Sequence, residues 1–226
     1  MKIGILQTGH APEDLIQASG DYDQMFCDLL AGHGFEFETF AVVDGLFPKD
    51  AEAADGWIIT GSRHGAYEPH DWIPPLEELI RAIHTKQQPL AGICFGHQII
   101  AQALGGKVAK FDGGWAVGHV TYEQDGKPVT LNAWHQDQVI ERPAEARVLA
   151  GNDFCENGIL AYGDHIWTLQ PHPEFSNEFT GGLIDKRGRG VVPDAILDRA
   201  SQHLDTPVDS PNIATFLAEF MKKERT

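Results

Sequence analysis

Cysteine is scarce in this chain, which has only three in 226 residues, at positions 27, 94 and 155. An odd, scattered set does not fit the disulfide framework of a small secreted domain and is typical of a reducing compartment. No apolar run approaches the ~18 residues that a membrane-spanning helix needs, and the apolar run at residues 3–6 is too short for a secretory signal. We therefore expect a cytoplasmic protein that does not contact a membrane.

Basic residues are also few, with 17 Lys and Arg against 33 Asp and Glu, which gives a formal net charge of −16. Binding to nucleic acid needs a basic surface that neutralises phosphates, so this composition argues against a nucleic-acid partner. The chain also lacks the Gly-x-x-x-x-Gly-Lys-Ser/Thr loop that cradles nucleotide phosphates. The remaining composition is that of an ordinary globular protein, and the length predicts one domain over residues 1–226.

The order of predicted elements indicates an α/β fold. In the first half, short apolar strands alternate with helices, which is typical of a central, mostly parallel sheet flanked by helices. The second half predicts a run of short strands, which suggests a small antiparallel extension of the same sheet, and then helices. The predicted strands are 2–7, 35–43, 55–60, 90–93, 107–111, 116–123, 128–131, 138–141, 147–151, 158–162 and 165–170, and the predicted helices are 21–32, 72–84, 99–104, 176–187, 193–203 and 210–223.

Residues 90–98 carry the most specific chemical signal. A short apolar strand meets Cys94, with Gly92 two residues before it and Gly96 two residues after it, and a helical pattern follows. A nucleophile at a sharp strand-to-helix turn is the arrangement of a nucleophile elbow, in which glycine lets the backbone fold back tightly. The turn places Cys94 at a helix N-terminus, which favours a thiolate. A cysteine that only packs in a core needs neither glycine.

A cysteine nucleophile needs a base and a group that orients the base. Among the 11 histidines, His172 stands out because prolines 171 and 173 flank it and Glu174 follows. The proline after His172 disfavours the α-helical conformation of His172, so this segment should be extended. Side chains two residues apart in an extended chain point to the same side, as those of His172 and Glu174 would. We therefore expect His172 to act as general acid/base while Glu174 holds its tautomer. The segment follows a predicted strand, at the sheet edge where α/β sites gather.

Attack on a carboxamide also builds negative charge on oxygen, which preorganised backbone N–H groups can stabilise. The N–H of Phe95, directly after the nucleophile, is one expected donor. The turn at Gly61, again at the end of a predicted strand, is expected to supply another.

Together these segments resemble the class I (triad) glutamine amidotransferases. The elbow at residues 92–98 and the segment at residues 171–174 look like that family's two signatures, and residues 60–62 stand where the family has its oxyanion turn. The resemblance covers about residues 40–180. It implies a flavodoxin-like fold and a Cys94-His172-Glu174 triad. This triad would hydrolyse the side-chain amide of glutamine through a γ-glutamyl thioester, releasing glutamate and ammonia without a metal or an organic cofactor.

The same resemblance implies a small-molecule substrate and possible partners. Gln98 would hold the substrate, and the backbone near His135 and Gln136 would bind its amino-acid end; Gln136 stands where the family commonly has glycine. Most such domains deliver ammonia to a synthetase domain or subunit, and about 50 residues, read as helices, follow Glu174. The chain is therefore similar to the stand-alone, GMP-synthase-like amidotransferases, for which a separate ammonia-accepting synthetase is a possible partner.

Three other interpretations use the same residues. Cys94, His172 and His135 could be zinc ligands. The His-x-Glu pattern of zinc deaminases is also present, but those enzymes need a downstream Pro-Cys-x-x-Cys, and no cysteine follows residue 155. A catalytically silent binding or regulatory module paired with a synthetase would keep the fold, but such a module usually loses one of its catalytic residues. A γ-glutamyl peptide hydrolase would use the same triad and differ only in the group that leaves the γ-carbonyl, so the sequence leaves this interpretation open.

Two further segments outside these motifs have chemically distinctive residues. Residues 63–67 follow the expected oxyanion turn and could form either a lid over the site or a plain surface loop. The basic cluster of Lys186, Arg187 and Arg189 is interpreted as a solvated cap after a helix.

Overall fold

The computed structural model describes residues 1–124 and 126–224. Its strands are β1 Lys2–Leu6, β2 Glu36–Phe40, β3 Gly56–Ile59, β4 Leu90–Ile93, β5 Lys107–Lys110, β6 Ala116–Gln124, β7 Lys127–His135, β8 Asp137–Glu141, β9 Ala146–Ala150, β10 Ile159–Tyr162 and β11 Ile166–Leu169. Its α-helices are α1 Glu13–Ser19, α2 Tyr22–Leu29, α3 Ile73–Thr85, α4 Phe95–Ala103, α5 Asn177–Leu183, α6 Asp194–Ser201 and α7 Ser210–Lys222. Among these described helices, none combines the length and apolar character that a membrane span requires.

The central sheet has seven strands in the order β2-β1-β3-β4-β11-β10-β9. The first five are parallel, and β10 and β9 add an antiparallel edge. This arrangement confirms the predicted α/β fold with its mostly parallel sheet and antiparallel extension. Strands β3, β4 and β11 are neighbours, so the segments that leave their carboxyl ends emerge side by side.

Helices cover both faces of this sheet. Because side chains alternate along a strand, Ile59 of β3 faces the core that contains α3 and α4, whereas Ile58 faces the core that contains α2 and α7. Parallel strands buried on both faces read as continuous apolar runs, which explains why residues 57–59 and 90–93 are entirely apolar or glycine. Both faces are therefore closed, and the carboxyl edge of the sheet is left for a site.

The prediction that all the short middle strands extend the central sheet is wrong. Strands β5 and β8 form one separate two-stranded sheet, and β6 and β7 form another. The β6–β7 pair is held together by a continuous nine-residue register from Ala116–His135 to Gln124–Lys127, and its side chains pack on α6 and on the core beside α7. Strand β7 runs to His135 instead of ending at residue 131, which carries it to the carboxyl edge of the central sheet.

Two helical segments also differ from the predictions. Helix α1 stands where no helix is predicted. It is seven residues long and buries none of them fully, although Leu15 and Ile16 pack against the core beside Phe175. The helix predicted over residues 176–187 is divided into α5 and a π-helical turn, Ile184–Gly188. The other predicted helices occur with ends shifted by a few residues.

Candidate active site

The carboxyl ends of three neighbouring strands bring together the residues that the sequence singled out. Gly61 follows β3, Cys94 follows β4 and His172 follows β11. The register fixes these ends at one level, because the Cys94 amide donates to the Leu169 carbonyl at 2.9 Å, and the Gly96 amide donates to the Thr60 carbonyl at 3.2 Å. The order of the strands therefore determines the composition of the site.

Cys94 occupies a strained backbone conformation. Its φ of 52° and ψ of −103° are rare for a residue with a side chain. The flanking glycines are required by close approaches: a Cβ at Gly92 would lie 2.6 Å from the Gly96 carbonyl oxygen, and one at Gly96 would overlap the carbonyl oxygen of Ile59. Cys94 is the N-cap of α4, so its side chain lies at the end of the helix that carries partial positive charge.

His172 lies between Cys94 and Glu174. Its Nδ1 is 2.8 Å from Glu174 Oε1, and the Cys94 side chain is close enough to act on the charge of the imidazole. All three residues are buried. Burial disfavours a charged imidazole, but the negative charges of Glu174 and Cys94 outweigh this effect and raise the pKa of His172 to about 10. The arrangement favours an imidazolium that is paired with both neighbours.

Two further residues position His172, and sequence reasoning missed both. The Phe175 ring stacks on the imidazole with centroids 3.8 Å apart and planes 6° from parallel. The His172 amide donates to the Asn132 carbonyl of β7 at 2.8 Å. Phe175 directly follows the segment at residues 171–174, so the sequence did carry a sign of it. The contact with Asn132 depends on backbone pairing between two segments that lie far apart in the chain.

Gly61 lies against both His172 and Cys94. A Cβ at Gly61 would be 2.8 Å from His172 Cε1 and 3.7 Å from Cys94 Cβ, so only glycine fits without displacing the imidazole. Thr8, also missed at the sequence level, holds this turn: its hydroxyl donates to the Gly61 carbonyl at 3.1 Å, and its amide donates to Thr60 Oγ1 at 3.0 Å. Phe95 is the first residue of α4, where backbone N–H groups have no partner within the helix.

Cys94 and His172 open onto one cavity of about 870 Å³. The expected substrate residues Gln98, His135 and Gln136 line it, but their side chains also bond to the protein. The Gln98 amide donates to the Asp137 carbonyl at 2.9 Å and the Gln136 amide to the Phe111 carbonyl at 3.4 Å. Burial, with His172 nearby, lowers the pKa of His135 to about 3, so this imidazole is neutral.

The cavity rim carries four cationic side chains in a chain with a net charge of −16. They are Arg63, Lys110, Lys186 and Arg187. The interpretation of Lys186 and Arg187 as part of a solvated helix cap is therefore incomplete, because the π-helical turn directs this segment along the cavity. Lys186 also lies 3.9 Å from Asp14, one of four carboxylates in the same lining. Arg189 does not line the cavity and pairs with Asp194 and Asp198, each at 2.8 Å.

The segment at residues 63–67 also borders the cavity. Arg63, His64, Gly65 and Tyr67 line it, and the Tyr67 ring lies close to the Asp137 carboxylate beside Gly65. Burial and this nearby carboxylate raise the pKa of Tyr67 to about 12. The segment therefore covers one side of the site.

The zinc interpretation of Cys94, His172 and His135 has no geometric support. Among the described residues, the grouping of three or more potential ligands that could hold a metal ion does not include them. One ring nitrogen of each histidine is also engaged elsewhere: His172 Nδ1 with Glu174, and His135 Nδ1 with the Asp137 carbonyl at 3.2 Å.

The fold and the elbow define a class of protein. The family model for "Glutamine amidotransferase class-I" matches residues 20–185, so the chain belongs to the class I glutamine amidotransferase family, whose members are amide hydrolases with a cysteine nucleophile. It is 32% identical to gamma-glutamyl peptidase 2 of Arabidopsis thaliana, over 92% of this chain and 90% of that protein. It is 36% identical to gamma-glutamyl peptidase 4 of the same plant, over 74% of this chain and 73% of that one.

A solved structure shows the same fold. The glutamine amidotransferase from Methylobacillus flagellatus superposes with a TM-score of 0.77 at 20% identity, over 98% of this chain and 91% of that one. The match extends beyond the region covered by the motifs and confirms the flavodoxin-like fold of the class I family for the chain described above.

Proposed function

We propose that this protein is a γ-glutamyl peptide hydrolase in which Cys94 is the nucleophile. The observation that carries the proposal is that Cys94 and His172 line one cavity of about 870 Å³, while Glu174 Oε1 holds His172 Nδ1 at 2.8 Å from the buried side. A cavity of this size lies in the upper part of the range of ~300–1,000 Å³ that holds drug-sized ligands. Free glutamine is much smaller than such a ligand, whereas a γ-glutamyl peptide fills more of the space.

The proposed reaction has two stages. The Cys94 thiolate attacks the γ-carbonyl carbon, and the N–H groups of Gly61 and Phe95 stabilise the resulting oxyanion. His172 then gives its proton to the departing amine as the C–N bond breaks, leaving a γ-glutamyl thioester. His172 next takes a proton from water, which attacks the thioester and releases glutamate and the Cys94 thiolate. Glu174 holds the imidazole orientation and stabilises its charged form throughout.

The charge of the rim supports a peptide as the leaving group. The amine that leaves a γ-glutamyl peptide carries a free carboxylate, whereas the amine that leaves glutamine is ammonia. Arg63, Lys110 and Arg187 offer cationic partners for such a carboxylate, whereas Lys186 already lies 3.9 Å from Asp14. The leaving group would bind at these cations and away from the four carboxylates of the same lining, Glu13, Asp14, Glu68 and Asp137. The relatives named gamma-glutamyl peptidases support the same choice.

A second candidate is hydrolysis of glutamine with ammonia delivered to a separate synthetase. The family match and the solved amidotransferase favour it, since both carry that activity in their names. In this case Gln98, His135 and Gln136 would surround the glutamyl group, as they would for a peptide substrate, and the cationic rim would face the synthetase. A cytoplasmic location fits either candidate, because three free cysteines are typical of a protein from a reducing compartment.

Initial rates on a substrate panel test the proposal. Purified wild-type protein and the Cys94→Ala variant are assayed on glutamine, on γ-glutamyl dipeptides and on the matching α-glutamyl dipeptides, with release of glutamate as the readout. We expect the γ-glutamyl peptides to be hydrolysed faster than glutamine, the α-glutamyl peptides not to be hydrolysed, and all turnover to be abolished in the variant. Faster turnover of glutamine would favour the second candidate. Absence of turnover on every substrate would contradict both candidates and favour a silent module.

A further inference from the structure

A cluster of metal-ligating side chains lies at the cavity rim, outside the triad. His64, Glu68 and His70 belong to the segment between β3 and α3, and their candidate ligand atoms all lie within 4.8 Å of one another. Glu68 Oε2 is 2.8 Å from His70 Nε2 and 3.5 Å from His64 Nδ1. Ligands of a tetrahedral zinc ion, at bonds of ~2.0–2.1 Å, stand roughly 3.3 Å apart, so the two separations bracket the required spacing.

The donor set selects the kind of ion. Two imidazoles and one carboxylate match the His₂Glu set that binds zinc with an open fourth position. Magnesium and calcium prefer oxygen ligands, so two nitrogen donors disfavour them. Each of the three side chains is between one-fifth and one-half exposed, which gives an ion direct access from solvent.

Aromatic packing fixes the ligands and connects them to the elbow. The His70 ring stacks on Trp72 at 5.8 Å and 13°, and the His64 ring meets His70 edge-on at 4.3 Å. Trp72 in turn packs against Phe95, the residue after the nucleophile, with centroids 5.5 Å apart. The rings are thus held in place without a metal, which lowers the cost of ordering them on binding.

We propose that His64, Glu68 and His70 bind one divalent transition-metal ion, Zn²⁺ by preference, at the rim of the active-site cavity. His64 and Glu68 also line that cavity, so the bound ion lies beside the path of the substrate and holds the segment at residues 63–67 in place. This site is separate from Cys94, and its existence does not depend on which amide the enzyme cleaves.

Zinc titration tests the proposal, with Cys94→Ser as the background because a thiol beside an imidazole can itself bind zinc. We expect this variant to bind one equivalent of Zn²⁺ by calorimetry. Adding either Glu68→Gln or His70→Ala should weaken binding at least 100-fold, whereas adding His33→Ala, outside the cluster, should leave it unchanged. Circular dichroism and the melting temperature without metal show whether each variant is folded.

Cobalt provides a second readout that identifies the ligands. Co²⁺ bound by two imidazoles and a carboxylate gives visible d–d bands without the intense near-ultraviolet charge-transfer band of a cobalt–thiolate bond. We expect the d–d bands in Cys94→Ser and their loss in the variant that also carries His70→Ala. The proposal is overturned if the Cys94→Ser protein binds no metal at micromolar concentrations, or if binding survives both Glu68→Gln and His70→Ala.

Discussion

The imidazole of His172 lies face to face with the ring of Phe175, with centroids 3.8 Å apart and planes 6° from parallel. This contact fixes the plane in which the imidazole must lie to reach both Cys94 and Glu174. The hydrogen bond to Glu174 fixes one edge of the imidazole, and the stacked Phe175 ring fixes its tilt. We interpret Phe175 as a positioning residue for the proposed general acid/base.

Replacing Phe175 tests this role. In Phe175→Leu the imidazole loses its stacked neighbour, and we expect kcat to fall by about 10–100-fold, with a smaller change in KM, because small misplacements of catalytic groups cost rates of this order. Phe179→Leu is the matched control: Phe179 is equally buried and packs on Phe175 at 4.6 Å. Each variant should lose about 1–2 kcal/mol of stability. Equal losses of activity in both would refute a specific role for Phe175.

Gly61 allows a second test, which depends on a single methyl group. A Cβ at this position would lie 2.8 Å from His172 Cε1, so Gly61→Ala must displace the imidazole or the turn. We expect kcat/KM to fall by about 100-fold or more while the protein remains folded. In Gly181→Ala, within α5, the added methyl approaches only the mobile end of Leu204, at 3.2 Å, and activity should be retained. Full activity of Gly61→Ala would mean that the oxyanion turn is misassigned.

The Glu174 carboxylate should control the alkaline limit of activity. The pKa of His172 is about 10 against an ordinary value of 6.5, because Glu174 and Cys94 outweigh the effect of burial. Donation of a proton to the leaving amine needs the imidazolium, so wild-type activity should persist until the pH approaches 10. In Glu174→Gln the carboxylate no longer offsets the effect of burial, so the pKa of His172 should fall. The alkaline limb of the kcat/KM profile should therefore move to lower pH. An unmoved limb would contradict this role of Glu174.

The raised pKa of His172 also affects the free energy of unfolding. The folded protein retains a proton on His172 that the unfolded chain releases near pH 6.5, so the stabilising contribution is complete below pH 6.5 and is lost as the pH rises through about 10. Denaturant unfolding of wild type and Glu174→Gln at pH 6 and pH 10 measures it. We expect the stability advantage of wild type to shrink between these two pH values.

The backbone strain at Cys94 predicts an unusual order of stabilities. Its φ of 52° disfavours any residue with a Cβ, so Cys94→Gly should be more stable than Cys94→Ala by about 1 kcal/mol, although both are inactive. At an ordinary buried position the alanine variant would be the more stable one, since glycine gains more entropy on unfolding. Chemical denaturation of the two variants decides between these outcomes.

Local motifs explain why much of the site could be predicted from sequence. The glycines around Cys94 and the prolines around His172 fix the backbone within a few residues, so both segments could be placed at the ends of strands. The mostly parallel central sheet followed similarly from the alternation of strands and helices.

Long-range contacts explain what the sequence could not show. Thr8 and Asn132 support the site through pairings between β-segments that lie far apart in the chain, and nothing in their neighbours marks them. Strands β6 and β7 pair with each other and not with the central sheet. The sequence of a short strand does not show which strand it will pair with. Helix α1 was missed because it is short and buries no residue fully.

Competition between two substrates tests the central claim most directly. Wild-type protein is given glutamine and a γ-glutamyl dipeptide in one reaction, and the loss of each is followed by mass spectrometry. The ratio of the two rates equals the ratio of kcat/KM values and is independent of how much enzyme is active. Our account predicts faster loss of the peptide, with both losses abolished in Cys94→Ala. Faster loss of glutamine, or peptide cleavage that survives the substitution, would contradict it.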